Sequence, residues 1–195
     1  MLRVICVRTG SKYDEWYEHN LKFMIDKYSN LEYNEFVCIT DDIYDDERGV
    51  FNKLQMFDKY RDGQNIYFDL DVLIKGDCNH FLRDDFTVLH AHWRDEHHTP
   101  LNSSIVSWKG DASHVTEYFR KNEDYCLLYY RRGIDQYIYE KTDYKTYNKE
   151  DKYVSYQTVL DETEAPVYLF NQRYTHMKNN QWYTKYFLEE GRHKC

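Results

Sequence analysis

The sequence predicts an α/β fold, an open sheet flanked by helices, on three observations. Short apolar runs alternate with helix-spaced apolar stripes through residues 2–74, the pattern of strands joined by crossover helices. The most apolar run, residues 65–74 (NIYFDLDVLI), comes third, as a central strand would. The 195 residues are 42% apolar and 18% aromatic, with only 7 Gly and 2 Pro. That composition supports one packed core and leaves little for linkers.

Each element follows in order. Residues 2–7 (LRVICV) are almost wholly apolar, as in a strand covered on both faces. After the polar loop Thr9-Gly10-Ser11-Lys12, the residues Tyr17, Leu21, Met24 and Tyr28 fall on one face of an amphipathic helix. Residues 35–40 (EFVCIT) read as a second strand. An acidic stretch, 41–47, leads to Val50, Leu54 and Phe57 at helical spacing, and residues 65–74 read as one continuous third strand.

The second half is less regular. Residues 86–90 and 103–109 read as strands around a polar loop with His92, Asp95, His97 and His98. Residues 112–121 and 134–141 read as helices, and 154–157 and 166–170 as short strands before a polar, aromatic tail. No repeat or linker interrupts the pattern, so a single domain over 1–195 is expected. Right-handed crossovers in such a sheet gather ligands at the carboxyl ends of the strands. The loops after Val7, after Thr40 and at Asp69-Leu70-Asp71 occupy that edge.

The net charge of -8, from 34 acidic and 26 basic side chains, argues against a nucleic-acid partner, which calls for a positive patch. An acidic protein that holds a polyanion needs a cation to offset the charge. The five cysteines are far apart, with no CxxC pair, and read as free thiols of a reducing compartment. The N-terminal run is too short and charged for a signal peptide, and no run approaches a membrane span. A cytoplasmic location is the resulting expectation. The 21 tyrosines are read as ordinary core residues.

The sharpest local signal is Asp69-Leu70-Asp71 inside the most apolar run. Residues i and i+2 of an extended chain project the same way, about 7 Å apart. Two carboxylates side by side on a greasy strand are costly unless a cation joins them, and hard oxygen donors suit Mg²⁺ or Mn²⁺. Asp-x-Asp after an apolar strand is similar to the haloacid-dehalogenase-like phosphatases. In those the motif normally ends the first strand and a turn follows. Here it comes after two strands, and Val72-Leu73-Ile74 continues the apolar run.

The segment from Gly49 to Asp77 (GVFNKLQMFDKYRDGQNIYFDLDVLIKGD) resembles the glycogenin-like, family-8 glycosyltransferases. They share its Lys-bearing helix, its strand ending Asp-x-Asp and its apolar continuation. Thr9-Gly10-Ser11-Lys12-Tyr13 is similar to that family's first loop, Pro100-Leu101-Asn102-Ser103-Ser104-Ile105 to its Phe-Asn-Ser-Gly-Val segment near the sugar, and Gly133-Ile134-Asp135-Gln136 to its Gly-Asp-Gln element with one position inserted. Four weak motifs in the right order cover most of the chain.

The resemblance implies a GT-A fold with a mixed central sheet, a UDP-sugar donor, a carbohydrate or glycosylated acceptor, Mn²⁺ or Mg²⁺, and transfer with retention. It implies that Asp71 binds the cation, that Asp69 binds it or the ribose, and that Lys53 contacts donor sugar or phosphate. Thr9, Gly10 and Tyr13 would hold the base, Asp41 the base edge or ribose, and Asn102 would lie near the sugar. Asp135 would meet sugar hydroxyls, with Gln136 beside the anomeric carbon. The family closes its metal site with a histidine in a Gly- and Pro-containing stretch that the tail here lacks. Asn171, His176 or water is left as the third ligand. The cluster His80, His90, His92, His97 and His98 lacks zinc-like spacing and reads as an acceptor-site or solvated loop.

Overall fold

A computed structural model describes residues 1–44, 49–148, 152–155, 158–159 and 161–170. Strand β1 (Leu2–Val7) alternates strictly: Val4 and Cys6 face one side of the sheet, Ile5 and Val7 the other. Helix α1 (Glu15–Tyr28) starts at Asp14, whose side chain accepts from the Trp16 amide at 3.0 Å, and carries Glu15 and Glu18 in its first turn. Both features satisfy or complement the positive helix start. Leu21, Met24 and Ile25 bury its inner face; Tyr17 and Tyr28 are half-buried at the margins.

Strand β2 (Glu35–Ile39) pairs parallel to β1. The expected second helix is shorter and tighter: a 3-10 turn, Phe51–Leu54, runs into α2 (Gln55–Lys59). Asn52 explains the tight start. Fully buried, it accepts from the Ile43 and Tyr44 amides at 2.9 and 3.0 Å and donates to Asp42 Oδ1 at 2.7 Å. Buried polar groups demand such partners.

The main correction concerns residues 65–74. They form two strands, β3 (Gln64–Phe68) and β4 (Val72–Ile74), which belong to different sheets. Asp69 still donates its amide to the Ser104 carbonyl at 2.8 Å, and the chain then turns through Leu70 and Asp71. An apolar run bounded by nothing but polar side chains reads the same whether one sheet or two takes it up. Asp69 and Asp71 are therefore neighbours across a turn, and extended-strand spacing does not describe them.

The remaining elements are β5 (Thr87–His90), β6 (Leu101–Lys109), α3 (His114–Lys121), α4 (Glu123–Tyr129), α5 (Ile134–Lys141), β7 (Lys145–Tyr147), β8 (Tyr153–Ser155) and β9 (Val167–Leu169). The six-stranded sheet has the order β2-β1-β3-β6-β5-β7, with β6 antiparallel to both neighbours. The expected mixed sheet flanked by helices is thus present. The second sheet, β4-β9-β8, packs with α1 against one face, burying Leu73, Val167 and Phe170 with Val4, Ile66 and Phe68. The 3-10 turn with α2, α3 and α5 covers the other face through Phe51, Phe57, Phe119 and Tyr137. Among the described residues no helix is long and apolar enough to cross a membrane.

Trp108 anchors that second face. It is 1% exposed, packs on Phe57 with ring centres 5.0 Å apart, and donates Nε1–H to the Tyr60 carbonyl at 3.1 Å. Trp108→Ala is expected to cost about 3–5 kcal/mol in urea unfolding, with Trp108→Phe losing less. A loss under about 1 kcal/mol would contradict this packing.

Candidate active site

The carboxyl ends of β1 and β3 open onto a cavity of about 280 Å³. Two glycines let its loops approach. Gly49 has φ +69°, and a side chain there would come within 2.8 Å of Thr9 Oγ1 and 3.2 Å of the Thr9 carbonyl oxygen. Gly133, at φ +83°, lies against Val50, where an added Cβ would stand 3.3 Å from a methyl. Positive φ and close approach both select glycine. The loop after β1, the segment entering the 3-10 turn and the start of α5 thus share one wall.

Asp69 sits at the centre. Its Oδ1 meets Lys53 Nζ at 2.5 Å and accepts from the Tyr67 hydroxyl at 2.5 Å. Burial raises the Asp69 carboxyl, but the Lys53 charge, with hydrogen bonds from Lys53, Tyr67 and Ser104, outweighs it and holds the group below the ordinary carboxylate range. Burial, then the negative charge of Asp69, pushes the Tyr67 phenol well above its ordinary value, so it stays a donor. Asp71, 6% exposed, accepts from the Tyr13 hydroxyl at 2.9 Å. The Tyr13 ring carries the Lys12 ammonium 4.5 Å from its centre, and Tyr17 meets it edge-on at 4.9 Å.

Asp135, in the first turn of α5, accepts from the Ser103 amide at 2.9 Å, Ser103 Oγ at 2.6 Å and Arg94 Nη2 at 2.9 Å. Arg94 also donates to the Thr99 and Leu101 carbonyls at 3.3 and 2.6 Å, which ties α5 to the loop entering β6. Asn102 turns its Oδ1 to the Ser104 amide at 3.0 Å.

Of the residues singled out by sequence, Thr9, Tyr13, Lys53, Asp69, Asp71, Asn102 and Asp135 line this cavity. Gly10 lies in the same loop but off the cavity wall, with φ +66°. Asp41 points away and is paired with Lys59 at 2.6 Å. Gln136 lines a second cavity, of about 540 Å³, and donates to Glu140 at 2.9 Å. His90, His92, His97 and His98 also line that second cavity, which shares Arg94 and Arg132 with the first; His80 instead rests on Phe81 at 4.1 Å. Asn171 and His176 lie outside the described residues.

Sequence reading did not single out Tyr67, Arg94 or Arg132 for the site, and it placed Lys12 and Ser103 in the right segments without assigning them a role. Tyr67 was legible, two residues before Asp69 on one side of a strand. Arg94 had no local signal, because its role depends on the β5–β6 connection meeting α5. Among the described residues no three His, Cys, Asp or Glu side chains cluster for a metal. Asp69 and Asp71 nevertheless offer two hard oxygen donors to one cavity, with Asp69 held ionised, and this donor set fits Mg²⁺ or Mn²⁺.

The Asp69–Lys53 pair makes stability depend on pH. A carboxylate lowered in the folded state contributes fully above its unfolded value of about 3.9, and the contribution is lost as pH falls through the folded value. In Lys53→Met the largest lowering influence is gone and burial is opposed only by the hydrogen bonds from Tyr67 and Ser104, so the Asp69 carboxyl rises, and the variant is weakest near neutrality and recovers as the group protonates. Melting curves of both proteins over about pH 3–8 should differ by about 4 °C or more at pH 7 and converge in acid. A gap that ignores pH would refute this account of the pair.

No family model matches the sequence, and no curated protein matches it either. Solved structures do match. A glycosyltransferase involved in the glycosylation of the major capsid of PBCV-1 superposes with a TM-score of 0.64 at 13% identity, over 90% of this chain and 98% of that one. The galactosyltransferase LgtC, in complex with donor and acceptor sugar analogues, gives 0.64 at 10% identity over 96% and 94%. The glycosyltransferase GlyE of Streptococcus pneumoniae TIGR4 gives 0.61 at 9% identity, over 88% of this chain and 56% of that one. At such identities the likeness concerns architecture, and the architecture is that of the GT-A glycosyltransferases.

Proposed function

We propose that this chain is a metal-dependent glycosyltransferase that moves a hexose from a UDP-sugar to a carbohydrate or glycosylated acceptor with retention of configuration. One observation carries the reading: Asp69 and Asp71 face a single cavity together with Lys53, at the carboxyl edge of β1 and β3. Ligands of open α/β sheets bind at that edge. The matching architecture of solved glycosyltransferases supports the same assignment.

Asp69 and Asp71 would hold Mn²⁺ or Mg²⁺, which when bound supplies Lewis-acid stabilisation of a departing nucleoside diphosphate. His176 is the preferred third ligand, since imidazole binds Mn²⁺ more tightly than the amide oxygen of Asn171 does. Lys53 keeps Asp69 ionised and adds positive charge beside the leaving phosphate. Thr9 and Tyr13 border the base end, and Asn102 lies near the sugar. Asp135 is oriented toward sugar hydroxyls by its three donors. Those donors occupy three of the roughly four lone-pair sites of the carboxylate. So saturated a carboxylate is a poor covalent nucleophile. Front-face substitution, with the leaving phosphate taking the acceptor's proton, therefore fits better than double displacement. A phosphatase reading would need Asp69 as nucleophile, yet its Oδ1 is engaged by both Lys53 and Tyr67.

A panel of nucleotide sugars with Mn²⁺ should yield slow UDP release from a UDP-sugar even without acceptor, and no hydrolysis of generic phosphate esters. Asp71→Asn should reduce turnover about 100-fold and abolish the Mn²⁺-dependent thermal stabilisation by UDP. Equal stabilisation in excess chelator would exclude the metal role. UDP binding without turnover of any donor would leave a nucleotide-binding module.

For the third ligand, His176→Ala should weaken Mn²⁺-dependent UDP binding about as much as Asp69→Asn, and Asn171→Ala should not. The reverse order would assign Asn171; no effect from either would leave water in that position.

A further inference from the structure

Lys12 is a second ammonium in the candidate donor cavity, and the role proposed for Lys53 leaves it unexplained. It lies in the loop between β1 and α1, lines the same cavity as Lys53, and is exposed. Among the described residues no carboxylate lies within ion-pair distance of it, although Asp71 and Asp69 are near enough to act on its charge. The other charged side chains on the wall are largely committed. Lys53 is spent on Asp69 at 2.5 Å and Arg94 on Asp135 at 2.9 Å. Arg132 donates to the His97 carbonyl at 2.6 Å. Counting side chains, four basic residues (Lys12, Lys53, Arg94, Arg132) face three acidic ones (Asp69, Asp71, Asp135). The cavity thus leans positive inside a chain of net charge -8.

The position of the Lys12 ammonium matters as much as its charge. It stands 4.5 Å from the centre of the Tyr13 ring, within the range of a cation–π contact. Tyr13 is itself held in place, its hydroxyl on Asp71 Oδ2 and its ring against the edge of Tyr17. A planar base cannot lie on a ring face that an ammonium covers. An exposed cation–π contact is worth only about 0.5–1 kcal/mol, so a phosphate oxygen readily outcompetes it as partner of the ammonium.

We propose that Lys12 binds the diphosphate of the nucleotide donor and leaves the face of Tyr13 in doing so, which couples phosphate capture to stacking of the base. The inference rests on the nucleotide-sugar reading of this cavity. Its ligand chemistry is a nucleoside diphosphate, in which phosphate draws the lysine away and the base takes the uncovered ring.

The test is a series of ligands that differ only in phosphate number. UDP, UMP and uridine are titrated calorimetrically, at one fixed excess of Mn²⁺, into the wild type, Lys12→Ala and Lys12→Arg. Lys12→Ala should weaken UDP about tenfold or more and UMP less, while uridine binds at least as well as to the wild type. Lys12→Arg should keep most of the UDP affinity. Unliganded melting temperatures of the three proteins should agree, since an exposed loop side chain carries little stability. Unchanged UDP affinity in Lys12→Ala, or an equal loss for UDP and uridine, overturns the role of Lys12 and leaves the donor site standing. Failure of the wild type to bind any of the three overturns the nucleotide reading, and the role of Lys12 falls with it.

Discussion

A carboxylate at the end of the central strand must be compensated, and the site is organised around meeting that constraint. Asp69 follows β3 directly, a buried strand held between β1 and β6. Lys53 and Tyr67 answer it on one oxygen. Lys53 can do so only because the 3-10 turn aims it inward. That turn is fixed by Asn52, which is wholly buried and hydrogen-bonded to residues 42–44. A chain of polar contacts thus runs from the loop after β2 to the cavity floor. Buried polar networks of this kind specify one arrangement, because a half-satisfied version is costly.

The same turn divides the molecule. The backbone leaves the large sheet at Asp69 and joins the small one at Val72, whose strand pairs with Leu169, Tyr168 and Val167. The two carboxylates therefore sit where two sheets meet, and both β3 and β4 hold them. Asp135 is fixed separately, through Arg94 and Ser103, by the β5–β6 connection and α5. The cavity is assembled from two halves, each held by its own ion pair.

Part of the tyrosine content lies in the core. Tyr67, Tyr130, Tyr137, Tyr147, Tyr153 and Tyr168 are among the largest fully buried side chains. Tyr147 donates to the Phe81 carbonyl at 2.6 Å and accepts from the Ser107 hydroxyl at 2.7 Å, and Tyr137 donates to the Val115 carbonyl at 2.7 Å. A buried phenol fills volume like phenylalanine and, as at Tyr137 and Tyr147, satisfies a backbone acceptor besides.

Much of this was legible from the residues alone. The strand–helix–strand start, the buried stripe of α1 and the helix at Ile134–Lys141 follow from period, while the shared cavity of Asp69, Asp71, Lys53, Tyr13 and Asp135 accords with what the family resemblance implied. Those signals are local, and local periodicity survives any tertiary arrangement. The break of one apolar run into two sheets did not follow, because hydrophobicity cannot say which partner strand a segment finds. Nor did the outward turn of Asp41 to Lys59, the placement of Gln136 in the second cavity, or the reach of Arg94 to Asp135. Each depends on residues that are distant in sequence and brought into contact only by sheet order and loop packing, and no one-dimensional pattern encodes that order.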